Sequence, residues 1–246
     1  KKGVLLTRLP QIREAGIVGA VAVVYVALST LSPAFRTYSN ALVILTMTSY
    51  VAIVAIGATM ILTCGEIDLS FGSIYGLTAM VFAYLLQEAV PGNISAAILM
   101  ATVVAAGCGV LNGTMTLYSR VPSFIITLGT MLAFGSVTLI ISNAWPILVS
   151  QTELERNLIG GDIGGFPVMA IWMIIVAVTF WIILEKTRLG NWISATGDRL
   201  WAAQAAGINT NLVKLVCFVF LAVLSGLAGI MNSSRLGQAN PLAGQT

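Results

Sequence analysis

The chain has 246 residues, 58% hydrophobic and only 9% charged, with a net charge of +3 and a mean hydropathy of +0.96. A soluble domain carries about 25% charge, so the composition excludes that class and defines an integral membrane protein. There is no histidine, which removes the commonest general base and metal ligand. No basic stripe is present, which argues against nucleic-acid binding.

In chain order, residues 1–14 carry Lys1, Lys2, Arg8 and Arg13 and favour a cytoplasmic start. Residues 15–31 form the first apolar run, at the short end of the roughly 17–25 residues needed to cross a bilayer. Residues 32–40, with Pro33 and Arg36, read as an outside loop. The second span, 41–63, holds Thr46, Thr48, Ser49, Tyr50 and Thr59. Hydroxyls in a spanning helix bond back to it or to a neighbour, so this is either a buried central helix or one lining a polar path.

Next comes Gly65-Glu66-Ile67-Asp68-Leu69-Ser70-Phe71-Gly72-Ser73. Carboxylates so close to apolar spans are expensive. The simpler reading has Asp68 or Ser70 capping the third helix, with Glu66 in the headgroup region. The third span, 69–86, carries Gly72 and Gly76 as a G-x-x-x-G face, and Pro91-Gly92 ends it outside. The fourth span, 94–117, repeats the spacing at Gly109 and Gly113 with Asn112 between them. Such pairs predict close helix–helix contacts.

An inside turn at 118–123 contains Arg120 and Pro122, and the fifth span covers 124–141. The longest outside loop, 143–167, carries Glu153, Glu155, Arg156 and Asp162 and has room for a short interfacial helix. The sixth and seventh spans are 168–184 and 212–231. Between them lies a polar island, residues 186–211. Asp198 is placed as an N-cap and Gly207 as a left-handed stop, with Ala202, Ala203 and Ala206 on one face of the enclosed helix. Two readings stand: an amphipathic helix on the membrane surface, or a docking helix for a cytoplasmic partner.

Of the 12 Lys and Arg, this topology puts only Arg36, Arg156 and Arg235 outside, which agrees with the positive-inside rule. Cys64, Cys108 and Cys217 fall in or beside apolar runs and read as buried small hydrophobes. No phosphate-binding loop, nucleophile elbow, H-e-x-x-H or C-x-x-C motif occurs. An intramembrane enzyme therefore lacks a catalytic set. An ion-coupled transporter would require mid-span charges that are essentially absent. The chain begins at Lys1 rather than Met and stops at Thr246, so both ends read as incomplete.

Three ordered segments carry a family resemblance. They are the coupling pattern at Ala195, Gly197, Asp198, Ala202, Ala203, Ala206, Gly207 and Ile208, the G-E-I-D-L-S-F-G-S segment, and the run from Val121 to Met131. Together they resemble the permease subunits of ribose-type ABC sugar importers. Two departures are Glu66, where a second glycine is common, and Gly135-Ser136, where the family often continues with Arg-Gly.

The resemblance implies an all-α polytopic permease of about ten spans, seven of them within this chain, in a single domain of residues 1–246 in a bacterial inner membrane. It implies a second permease subunit, a cytoplasmic ATPase holding ATP and Mg, and an extracellular binding protein delivering a monosaccharide. A polyol, an autoinducer or a branched-chain amino acid is the alternative cargo. No cofactor, metal or catalytic residue is expected on this chain. Residues 186–211 become the coupling loop, with Arg199 joining Asp198 at its rim. Glu66, Asp68 and Ser70 form the signature turn. Thr46, Ser49, Tyr50 and Asn112 are the candidates for a polar translocation pathway.

Overall fold

The computed structural model describes residues 15–244. The basic residues at positions 1–14 lie outside the described residues. The chain divides into two compact units, residues 1–44 and 45–246.

The first unit holds α1 (Ala15–Leu31), a 3-10 turn over Pro33–Arg36 and the start of α2 (Tyr38–Thr63). Pro33 opens the 3-10 turn, where its missing N–H is harmless. The Tyr25 and Phe35 rings lie 5.3 Å apart.

The second unit continues α2 and adds α3 (Phe71–Tyr84), α4 (Ile94–Ser119), α5 (Ser123–Ser142), α6 (Glu153–Ile159), α7 (Val168–Lys186), α8 (Arg188–Asp198), α9 (Leu200–Ala205) and α10 (Thr210–Leu236). All seven expected spans are helices. By length and composition α2, α4, α5, α7 and α10 can each cross a membrane. The 17-residue α1 is a shorter apolar helix. The 14-residue α3 is extended by a π turn over Leu85–Ala89.

α10 is the hub. In its apolar window 61% of the residues are buried, against 22–33% in the other four spans. It packs through small residues. A Cβ built on Gly226 would meet Ala105 of α4 at 2.7 Å, and one on Gly229 would meet the Tyr75 carbonyl of α3. Gly109 and Gly113 of α4 meet Phe218, Val219 and Leu215 from the other side. With lipid as solvent, such close backbone approach replaces the hydrophobic effect as the source of helix association.

Gly72 and Gly76 have a different role from the helix–helix contact expected of them. Their neighbours are the backbone carbonyls of Gly244 and Ala243. The chain after α10 runs back along α3, and only a side-chain-free groove admits it.

The expected loop helix is α6. Thr152 and Glu155 form a full capping box there, and these bonds from the Thr152 N–H and hydroxyl hold the Glu155 carboxyl below the usual carboxylate range. Two minimal ribbons complete this side. β1 (Ile147–Leu148) pairs antiparallel with β4 (Gln238–Ala239). β2 (Asp162–Ile163) pairs with β3 (Phe166–Pro167) across Gly164 and Gly165, both at positive φ. The three cysteines are free and buried.

Candidate coupling site

The polar island folds as two short helices rather than one. The Thr187 hydroxyl accepts the Gly190 N–H at 3.4 Å and starts α8. α8 then buries Gly190, Ile193 and Thr196. Arg199 takes extended backbone (φ −149°, ψ 91°) and breaks the helix. Asp198 is therefore the last residue of α8, not an N-cap. Arg199 holds the N-cap position of α9 without a side-chain bond. The inward-facing sequence Leu189, Ile193, Thr196 keeps α8 helical through Asp198.

The stop is where the sequence placed it. Gly207 has φ +82°. Its N–H bonds to Gln204 O at 3.0 Å, and the Ile208 N–H bonds to Ala203 O at 3.1 Å. This is the bond pair of a Schellman stop.

The presented surface differs from the expected alanine face. Ala203 is buried at 4% exposure, Ala195, Ala202 and Ile208 are half-buried, and Ala206 and Gly207 are exposed. The side chain that projects from α9 is Trp201, 73% exposed, with Leu200 beside it. A reading that weighed smallness passed over it; an unneeded tryptophan in a polar loop was the available signal.

α8 rests backbone to backbone on the end of α2. A Cβ on Gly197 would lie 1.9 Å from the Thr63 carbonyl oxygen, and one on Gly65 would lie 3.6 Å from Gly197 Cα. The buried Ile193 belongs to one apolar cluster with Cys64, Val213 and Cys217. α8 thus touches α2, the signature turn and the base of α10 together.

The signature turn is tied on every side. Glu66 forms an ion pair with Lys214 of α10, with side-chain exposures of 13% and 16%. The cation that holds it lies 148 positions away in the sequence. Asp68 accepts the Ser70 N–H at 2.7 Å and the Ser70 hydroxyl at 2.6 Å. The N-cap position of α3 is Ser70, whose side chain makes no capping bond, so Asp68 closes the turn before the helix rather than capping the helix itself. Asn112 of α4 donates to Ser70 Oγ at 2.7 Å and to Asp68 Oδ2 at 3.3 Å. Ser123 and Thr127 of α5 accept the N–H groups of Ile67 and Leu69, each at 3.1 Å.

Asn112, expected along a pathway, is fully buried; its amide nitrogen donates into this network, while its Oδ1 has no partner among the described residues. Thr46 and Ser49 are buried too, and the Ser49 hydroxyl bonds back to Leu45 O at 2.6 Å. Tyr50 is half-buried with its ring 6.4 Å from that of Tyr75. The site holds no nucleophile–base pair among the described residues. Through these contacts α8 sits directly against α2 and α10.

These features define a multi-pass, all-α membrane transport protein. The chain belongs to the family described as the branched-chain amino acid transport system / permease component, which matches residues 40–246. Within that family it is a ribose-type ABC permease. It is 37% identical over 229 residues to the ribose import permease protein RbsC of Escherichia coli strain K12, covering 92% of this chain and 70% of that protein. It is 33% identical over 225 residues to the D-allose transport system permease protein AlsC of the same strain, covering 91% and 68%. To the xylose/arabinose import permease protein XylH of Sulfolobus acidocaldarius it is 30% identical over 208 residues, covering 82% and 57%. No solved structure matches the chain.

Proposed function

We propose that this chain is the membrane-spanning subunit of an ATP-driven importer in a bacterial inner membrane, carrying a monosaccharide handed over by a binding protein. It works beside a second permease subunit. ATP and Mg belong to a cytoplasmic ATPase that docks on α8 and α9, with Trp201 and Leu200 as the projecting contact.

The observation that carries this reading is the seating of α8. Gly197 lies against Thr63 with no side chain between, and the adjoining turn is locked to α10 by Glu66 and Lys214. A surface helix that merely covered lipid would need neither contact. The printed cargoes of the relatives are ribose, D-allose and xylose/arabinose, which favours a sugar over the amino acids in the family description.

The test is reconstitution of the complete transporter in proteoliposomes with its binding protein. Labelled ribose, allose and xylose should enter only with internal ATP, and one of them best. Uptake driven by an ion gradient without ATP would overturn the reading. Trp201→Ala should release the ATPase subunit during purification while leaving the permease folded.

A further inference from the structure

We infer that Cys64 and Cys217 form a redox modification site, a dithiol that closes to a disulfide and fixes the seat of α8; its effect on transport rests on the importer reading above. Register brings the two together. α2 and α10 meet along an antiparallel seam. A Cβ built on Gly57 would lie 2.9 Å from Leu221 Cα, and just past the end of α2 Glu66 pairs with Lys214. Cys64 and Cys217 lie between these two points, one on each side of the seam. They are 1% and 0% exposed and share one apolar cluster with Ile61, Ile193 and Val213. Their thiols are in direct contact, with the Cys217 S–H donating to Cys64 Sγ.

A buried cysteine by itself is a small hydrophobe, and Cys108 on α4 fits that description. Three features set the pair apart. Each thiol has a resolving partner already beside it. Cys64, one residue beyond α2, is also biased toward its thiolate. The hydrogen bond from Cys217 and the Lys214 ammonium hold it below the usual thiol range, against burial and the Glu66 carboxylate. The thiolate is the reactive form. The third feature is the cover. α8 closes the cluster with Ile193, and a Cβ on its Gly197 would lie 3.2 Å from the Cys64 carbonyl carbon. When α8 lifts, the pair opens to the side of the membrane where the positive-inside rule places this loop. Thiols are kept reduced there, so a disulfide at this point is a transient, sensing one.

The oxidant is hydrogen peroxide. The Cys64 thiolate attacks one oxygen and breaks the O–O bond, giving Cys64 sulfenic acid and hydroxide, which takes up the proton lost by the thiol. The Cys217 sulfur then attacks the Cys64 sulfur, and a second water leaves with the Cys217 proton. Two thiols lose two electrons in all, and the peroxide gains them. A dithiol reductant reverses the step by exchange. The disulfide ties the end of α2, on which α8 rests, to the base of α10. α2, α8 and α10 are then held as one block, and transport stops.

The test uses the complete transporter, with its ATPase and binding protein, in proteoliposomes. After graded hydrogen peroxide, free thiols are alkylated in denaturant and the peptides read by mass spectrometry. A Cys64–Cys217 linked peptide should be the main product, with Cys108 still alkylated. Gly197→Ala, which unseats α8, should form the link several-fold faster. Uptake of labelled ribose, allose or xylose should fall at least fivefold as the link forms and return with dithiothreitol. Cys64→Ser and Cys217→Ser, each compared with its own untreated uptake, should resist peroxide, while Cys108→Ala should respond as the parent does. Absence of the linked peptide, or peroxide sensitivity that survives Cys217→Ser, would overturn the site. A fully linked complex that still transports would overturn the lock. If the untreated complex takes up no sugar with ATP, the importer reading falls, and mass spectrometry still decides the disulfide.

Discussion

Gly197→Ala separates a seated coupling helix from a loosely tethered one. The added Cβ would lie 1.9 Å from the Thr63 carbonyl oxygen, whereas ordinary contact begins at 3.4 Å. α8 must therefore retreat by about 1.5 Å. The obstacle is backbone at a helix end and cannot swing aside as a side chain would. Overpacking of this kind costs about 1–3 kcal/mol. Gly207→Ala, ten residues on, is the internal comparison. Its φ is +82° and nothing lies within 4 Å, so its cost is backbone strain alone, about 1–2 kcal/mol. The two variants thus lose similar stability for different reasons, and only the first moves α8 off α2. Thermal unfolding in detergent measures the stability. Binding-protein-stimulated ATP hydrolysis and sugar uptake, measured together, report the contact. Gly197→Ala should lose uptake well beyond its loss of folded protein, and Gly197→Val more so. A Gly197→Ala protein that melts and transports like the parent would refute the backbone contact and the role drawn from it.

Gly109→Leu should destabilise strongly, because α10 backbone lies 2.8 Å from its Cβ position, while Gly107→Leu two residues earlier meets nothing and should melt near the parent. Asn112→Leu removes the donor to Asp68 and Ser70 and should cost about 1–3 kcal/mol in a denaturation series. Lys214→Met leaves the Glu66 carboxylate half-buried without its cation. It should be more damaging than the double variant Glu66→Gln/Lys214→Met, a non-additivity that a double-mutant cycle reads directly.

The spans were legible in the sequence because a bilayer demands long apolar helices and little else produces them. The Gly207 stop was legible because it is settled within a few residues. What escaped was whatever depended on distant partners. Glu66 could not show that Lys214 waits 148 positions on. Gly72 and Gly76 announced a groove but not its occupant, since a helix and a returning turn press equally on a missing Cβ. The break at Arg199 was missed because Asp198 is a good cap in isolation. The Thr187 start and the buried Ile193 and Thr196 outweigh it. Ala203 and Trp201 exchanged roles for a related reason: a six-residue helix is turned by what lies beneath it, not by its own composition.

The fastening of α10 has a kinematic consequence. At its base Lys214 is clamped to Glu66. Near its far end Ser234 exchanges hydrogen bonds with Gln151 at 2.6 and 2.7 Å, and the chain then enters the β1–β4 ribbon. A 27-residue helix rises about 40 Å at 1.5 Å per residue. A rod of that length pinned at both ends resists sliding, since translation breaks both fastenings at once.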